Sequence, residues 1–131
     1  MRVQRSLGVA LATSLLLVLA SCDSPMYTVG LRNWTDEAIT DVKADLGEVG
    51  TEKAFLAKNG LATVSHARRN PASKATVQWR TADGAAHTVE VPVPKLPRSF
   101  GGTLLIKIHK GDKVTIVLLS QEEYFRGIDD P

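Results

Sequence analysis

The chain has 131 residues, 44% hydrophobic and 23% charged, with 16 Lys and Arg against 14 Asp and Glu and one cysteine. That length supports one domain with one core, and a single cysteine provides no internal disulfide to staple it. A net charge of +2 without a basic block argues against the strongly cationic face on which nucleic-acid binding rests.

Arg2 and Arg5 open the chain, residues 7–20 form an apolar stretch, and the small Ala20 and Ser21 precede Cys22. This is the three-part layout of an export signal. The apolar stretch falls short of the roughly 20 residues a helix needs to cross a ~30 Å hydrocarbon core, which favours a cleaved signal helix over a span. Leu19, Ala20, Ser21 and Cys22 resemble, position by position, the lipobox of bacterial lipoproteins. The resemblance implies diacylglycerol transfer to the Cys22 thiol, cleavage before Cys22 and acylation of the freed amine. Two or more acyl chains, at about 0.8 kcal/mol per buried methylene, hold a protein stably on a membrane. Cleavage removes Arg2 and Arg5 and no acid, leaving 14 basic and 14 acidic side chains and a formally neutral product. Asp23 resembles the retention signal of enteric lipoproteins, which favours the inner membrane, with the outer membrane next. Residues 23–26 reach at most about 14 Å when extended, so the domain is expected close to the bilayer.

From Tyr27 onward the periodicity is that of strands. Tyr27, Val29 and Leu31 alternate with polar or small residues, and Val42, Ala44 and Leu46 do so again. Ile39 is out of phase with the latter, predicting a bulge near Thr40 and Asp41. A short edge piece is predicted at 53–56 and a weaker strand at 61–65. The alternation returns at 74–80, with Trp79 on the core side, and at 87–91. Pro92, Pro94 and Pro97 cannot continue a ladder, so this segment is predicted to cross between sheets. Leu104, Ile106 and Ile108 share a face opposite Lys107 and His109. The run 114–119, apolar on both faces and β-branched, is predicted as the central, doubly covered strand. Turns fall at 33–36, 58–60, 70–71, 82–85, 100–102 and 110–112, and those at 82–85 and 110–112 predict antiparallel hairpins. The acidic tail 121–131 is expected to fray after a brief turn at Tyr124 and Phe125.

A strand leading into Asn33, Trp34 and Thr35, followed by a second strand, resembles the opening of immunoglobulin-like and transthyretin-like sandwiches. It is also loosely similar to small sandwich lipoproteins of secretion machines. The expected fold is therefore all-β, an antiparallel sandwich of about seven strands. It would occupy 27–120, after a signal peptide at 1–21 and a lipidated linker at 22–26, with a polar tail at 121–131.

Catalysis is not expected. Lipidation removes the thiol, no Gly-x-Ser-x-Gly motif occurs, and the acids do not pair at a strand-compatible catalytic spacing. His66 and His87 fall in phase with Val64 and with Val89, while His109 lies with Lys107, so the three are not expected to converge on a metal. No cofactor is expected. His66, Arg68, Arg69, Lys74 and Arg80 cluster in sequence around one loop, either as a solvated face or as a basic patch for anionic headgroups or an acidic partner. Asn33, Trp34 and Thr35 form a glycosylation sequon, read here as a turn with a packed indole. Trp34 is the candidate partner contact if it is exposed beside Phe100 or Phe125. The expected function is a membrane-anchored, non-enzymatic binding or assembly module for another envelope protein on the periplasmic side. The alternative is an immunity or inhibitor lipoprotein whose loop 67–73 plugs a toxin or hydrolase.

Overall fold

Period-two alternation closes this chain into two sheets packed face to face. The computed structural model describes residues 24–127. The expected signal helix, Cys22, Asp23, the Phe125 side chain and the closing Asp129, Asp130 and Pro131 lie outside the described residues. The strands are β1 (Tyr27–Trp34), β2 (Ile39–Leu46), β3 (Val49–Leu56), β4 (Leu61–Ala67), β5 (Lys74–Arg80), β6 (Ala86–Pro92), β7 (Thr103–His109) and β8 (Lys113–Leu119), followed by helix α1 (Gln121–Gly127). One sheet has the order β4-β1-β7-β8 and the other β3-β2-β5-β6. The fold is the expected all-β sandwich, with eight strands among the described residues in place of about seven. It is not wholly antiparallel, because β1 and β7 run parallel in the middle of their sheet. The crossover 93–102 returns the chain to the end where β1 begins, so both strands start from that end.

The inward faces supply a dry core that includes Leu31, Leu46, Val77, Trp79 and Ile106. Ile39 and Val42 both reach it because the β2 to β5 register slips between Thr40 and Lys43. Asp41 there takes φ 49°, so the predicted bulge is present. The hairpins at 82–85 and 110–112 join antiparallel pairs, and the proline segment crosses between the sheets, both as expected.

Other expectations are corrected. The run 114–119 is the edge strand β8, not a central one. The doubly covered strand is its neighbour β7, where Leu104, Leu105, Ile106 and Ile108 are all fully buried. Apolar residues on both faces of β8 reflect partial cover, since Val117 and Leu119 are only half-buried. The short edge piece at 53–56 is a full strand, because Leu46 pairs with Val49 around a two-residue loop. Gly47 holds φ 84° at its first central position, where a twisted hairpin favours glycine. The turn at Tyr124 and Phe125 is helix α1. Its start is a reciprocal capping box, in which Glu123 N donates to Ser120 Oγ at 3.1 Å and Ser120 N to Glu123 Oε1 at 3.3 Å. No helix among the described residues is long and apolar enough to cross a membrane.

Candidate functional site

The end of the sandwich where β1 begins carries the basic loop. Met26 N donates to Phe100 O and Thr28 N to Gly102 O, both at 3.0 Å, so the chain enters the fold against the 93–102 crossover. The 68–73 connection lies at the same end. There Met26, Glu48, His66, Arg68 and Arg69 line an open groove of about 680 Å³. A second cleft of about 540 Å³ lies between Pro25, loop 70–73 and the crossover, with Lys95 and Arg98 on its rim. The structure therefore brings His66, Arg68 and Arg69 together, next to the exposed side chain of Met26.

His66 reaches this groove by a route that its phase did not predict. Val29 faces Ser65 while Gly30 faces Thr63, so Val64 is an extra, bulged residue. The bulge puts His66 on the opposite face from Val64, paired with Thr28. Arg69 Nη1 lies 2.9 Å from Glu48 Oε2, but both side chains are about 70% exposed, and such a pair contributes little. The firmer tie is Tyr27 Oη, which donates to Arg69 O at 2.6 Å. Burial pushes the Tyr27 phenol pKa up, keeping it a hydrogen-bond donor.

Lys74 and Trp34 fall elsewhere. Lys74 pairs with Glu90 at 3.4 Å on the other sheet, both groups largely exposed. Trp34 sits at the far end of β1, half-buried, with the Arg32 guanidinium 4.3 Å from its ring centroid. Its Nε1–H has no acceptor among the described residues. Phe100 instead packs on Tyr27, with ring centroids 5.9 Å apart, so Trp34 is not the exposed indole beside Phe100 that the sequence allowed.

The far end holds a polar clasp between the sheets. His87 stacks on Trp79 at 5.4 Å and 7°, and its Nδ1 lies 2.6 Å from Asp112 Oδ1 on the β7 to β8 hairpin. Its Nε2 lies 3.2 Å from Thr81 Oγ1, so both ring nitrogens are engaged. His109 lines the same small pocket but bonds Thr115 Oγ1 through Nε2 at 2.9 Å. Among the described residues no three His, Cys, Asp or Glu side chains are grouped to hold a metal ion.

Desolvation, followed by the charges of Lys113 and Lys107, lowers the His109 pKa below its ordinary 6.5. The unfolded chain therefore takes up this proton before the folded one does. The folded state is unpenalised above about pH 6.5 and loses stability as pH falls through the folded value. His109→Gln is expected to flatten the acid side of a melting-temperature profile between about pH 7 and 5. An unchanged slope would show that His109 does not report the fold.

The sequence reading missed two features. Asn33 is fully buried and serves as a hydrogen-bond hub, which rules it out as an accessible glycosylation site in the fold. Leu105, Arg32 and Lys107 are buried on the outer face of the first sheet. The unbroken apolar run Leu104-Leu105-Ile106 was the available signal that β7 is covered on both sides.

No protein-family model and no curated protein matches this chain. A solved structure, described as the NMR structure of the protein from Eubacterium rectale, is similar over 76% of this chain and 92% of its own length. Identity is 15% and the TM-score 0.49, too distant a likeness to bear on function.

Proposed function

We infer that this protein is a lipid-anchored lipoprotein of the bacterial envelope that acts as a non-enzymatic binding or assembly module on the periplasmic side. The observation that carries the reading is a spacing. The lipobox-like Leu19-Ala20-Ser21-Cys22 ends just before Met26, whose backbone is already bonded to Phe100. An acylated Cys22 could stand no more than about 14 Å from the fold, so the groove of His66, Arg68 and Arg69 and the cleft of Lys95 and Arg98 would face the lipid headgroups. The opposite end and the sheet edges would face the envelope partner. The edge strand β3, with Phe55 56% exposed, supports an assembly role, since an open edge with an apolar side chain suits strand-to-strand contact. The resemblance at Asp23 favours the inner membrane, with the outer membrane next.

The inhibitor alternative draws less support. A plugging loop should stand free, but Ala72 N donates to Leu46 O at 2.8 Å, Val93 N to Ser73 O at 2.9 Å, and Tyr27 Oη to Arg69 O. Loop 68–73 is laced to the body at three points.

Cys22→Ala tests the anchor. The expected result is loss of palmitate labelling and release from membranes. A variant still membrane-bound, uncut and at precursor mass would sink the lipoprotein reading and make the N-terminal stretch an uncleaved anchor.

A further inference from the structure

The described strands all run between two ends of the sandwich, and the two ends differ in chemistry. Connections 47–48, 68–73 and 93–102 gather at the entry end with Pro25 and Met26, whereas 35–38, 57–60, 81–85 and 110–112 gather at the far end. Among the described residues lining the groove and the cleft of the entry end, Arg68, Arg69, Lys95 and Arg98 stand against one acid, Glu48. The small pocket of the far end reverses the balance, with Asp36, Glu37 and Asp112 against Lys110. The sandwich is therefore polar along its strands.

Met26 sharpens the contrast. Its side chain is 59% exposed, and its N–H is fixed on Phe100 O at 3.0 Å, so an apolar group is held at the entry end beside the cations. Phe55, the other large apolar side chain exposed among the described residues, pairs with Thr40 toward the far end. A fixed apolar side chain among basic residues suits an anionic headgroup layer, where the cations meet phosphates and the apolar group enters the acyl boundary. Height separates a bilayer from an acidic protein as the occupant. The four residues before Met26 reach at most about 14 Å to Cys22. A second folded domain, with two layers about 10 Å apart and side chains on both outer faces, does not fit in that gap.

We propose, with Cys22 acylated as inferred above, that the entry end is a second, non-covalent membrane contact selective for anionic phospholipid. Met26 inserts, and Arg68, Arg69 and Lys95 lie on the phosphates. The sandwich then stands upright. Strands of seven or eight residues, at about 3.3 Å each, hold the acidic far end roughly 25 Å off the surface, with the β3 edge along the membrane normal. Repulsion of the far end by the same anionic lipid reinforces this orientation.

Spin labels on the lipidated protein, reconstituted in vesicles, test both depth and orientation. Acylation blocks Cys22, the one native thiol, so an introduced cysteine takes the only label. Asn70→Cys marks the entry end and Lys58→Cys the far end, both at exposed positions. In phosphatidylcholine with about 30% phosphatidylglycerol, the label at 70 should become severalfold more accessible to oxygen than to a nickel chelate, while the label at 58 stays in water. Pure phosphatidylcholine should return residue 70 to water with the protein still floating on the vesicles, and so should about 1 M salt, where the Debye length is about 3 Å. Met26→Ser, and Arg68→Gln combined with Arg69→Gln and Lys95→Gln, should do the same. A label at 70 that stays wet on anionic vesicles would overturn the proposal and leave the basic end to an acidic protein. Burial at 70 that ignores lipid charge or the triple variant would also overturn it, as would labels at 58 and 70 buried together. A parent protein that itself takes up label, or fails to float, would instead count against the acylated Cys22, so the two failures are told apart.

Discussion

Asn33→Ala is expected to lower stability by about 3–4 kcal/mol, an exceptional loss for a single polar residue. The reason is the number of groups that this one side chain satisfies in a dry place. Asn33 is fully buried at the end of β1. Its amide nitrogen donates toward Glu37 O at 2.8 Å and toward Leu56 O and Ala57 O at 3.1 Å each. Its Oδ1 accepts from Thr35 N at 3.0 Å and from Thr35 Oγ1 at 2.6 Å. The backbone of the same residue bonds Gly60 O and Asn59 N. Asn33 thus fastens both crossovers at this end, 35–38 and 57–60, to the first sheet. Alanine would leave buried carbonyls without a donor, each at about 1–3 kcal/mol before relaxation and water entry. Melting should drop by roughly 15 °C in a domain of this size. Asn33→Asp keeps the acceptor and loses the donor, so it should cost nearly as much, whereas Thr35→Val should cost about 1–2 kcal/mol. Denaturant titration would decide the matter. An alanine variant within 1 kcal/mol of wild type would mean that water replaces the amide and that the hub is not structural.

The contrast between Asn33 and the strands shows what a sequence of this kind makes legible. Alternation at Tyr27, Val29 and Leu31 or at Ala75, Val77 and Trp79 is a local pattern with one physical cause, a sheet with one dry face, and it was read correctly. The bulge at Thr40 and Asp41 was legible because Ile39 broke phase with Val42. The bulge at Val64 was not, because Ala62 and Val64 keep phase up to the extra residue and only the pairing with Val29 exposes it. The centre of the sheet was misplaced for a related reason. A β-branched run such as 114–119 reports burial, but strand order depends on connections made by 93–102, which carry no pairing signal of their own. The hairpin at Gly47 and the capping box at Ser120 and Glu123 were written in the sequence, and their turn and cap chemistry was passed over.

Among the candidate contacts, sequence proximity was a fair guide for His66, Arg68 and Arg69, which share one strand end and its loop. It failed for Lys74, which the chain carries into the second sheet, and for Trp34, which the length of β1 carries to the opposite end. The Asn33-Trp34-Thr35 triplet looks like a modification motif only while Asn33 is imagined exposed. Burial turns the same residues into a fastening.

Gly102→Ala is expected to be at least as damaging as the loss of Asn33, and its neighbour provides the control. Gly102 is buried just before β7, and a Cβ there would collide with the Leu119 carbonyl oxygen and stand 2.9 Å from the Leu119 carbonyl carbon. The obstacle is backbone, so no rotamer change relieves it. The glycine cannot step aside either, since its own carbonyl accepts from Thr28 N at 3.0 Å and Thr103 is registered on Leu119. Relief requires β7 and β8 to part, or β1 and the N-terminal segment to lose their hold on the crossover. Overpacking of this kind costs about 1–3 kcal/mol in deformable cores, and more is expected against a fixed strand. Gly101→Ala meets only Met26 O at 3.7 Å, an ordinary contact. It should be neutral, or stabilising by about 0.4–1 kcal/mol through the unfolded chain. Urea titration of the two variants side by side therefore separates sterics from glycine entropy. Equal midpoints would mean that the β7 to β8 junction yields freely and that the entry of the chain into the sandwich is not held there. A large gap, with amide exchange quickened at Met26 and Thr28 in the Gly102 variant, would tie the closure of the first sheet to the point from which the N-terminal segment departs.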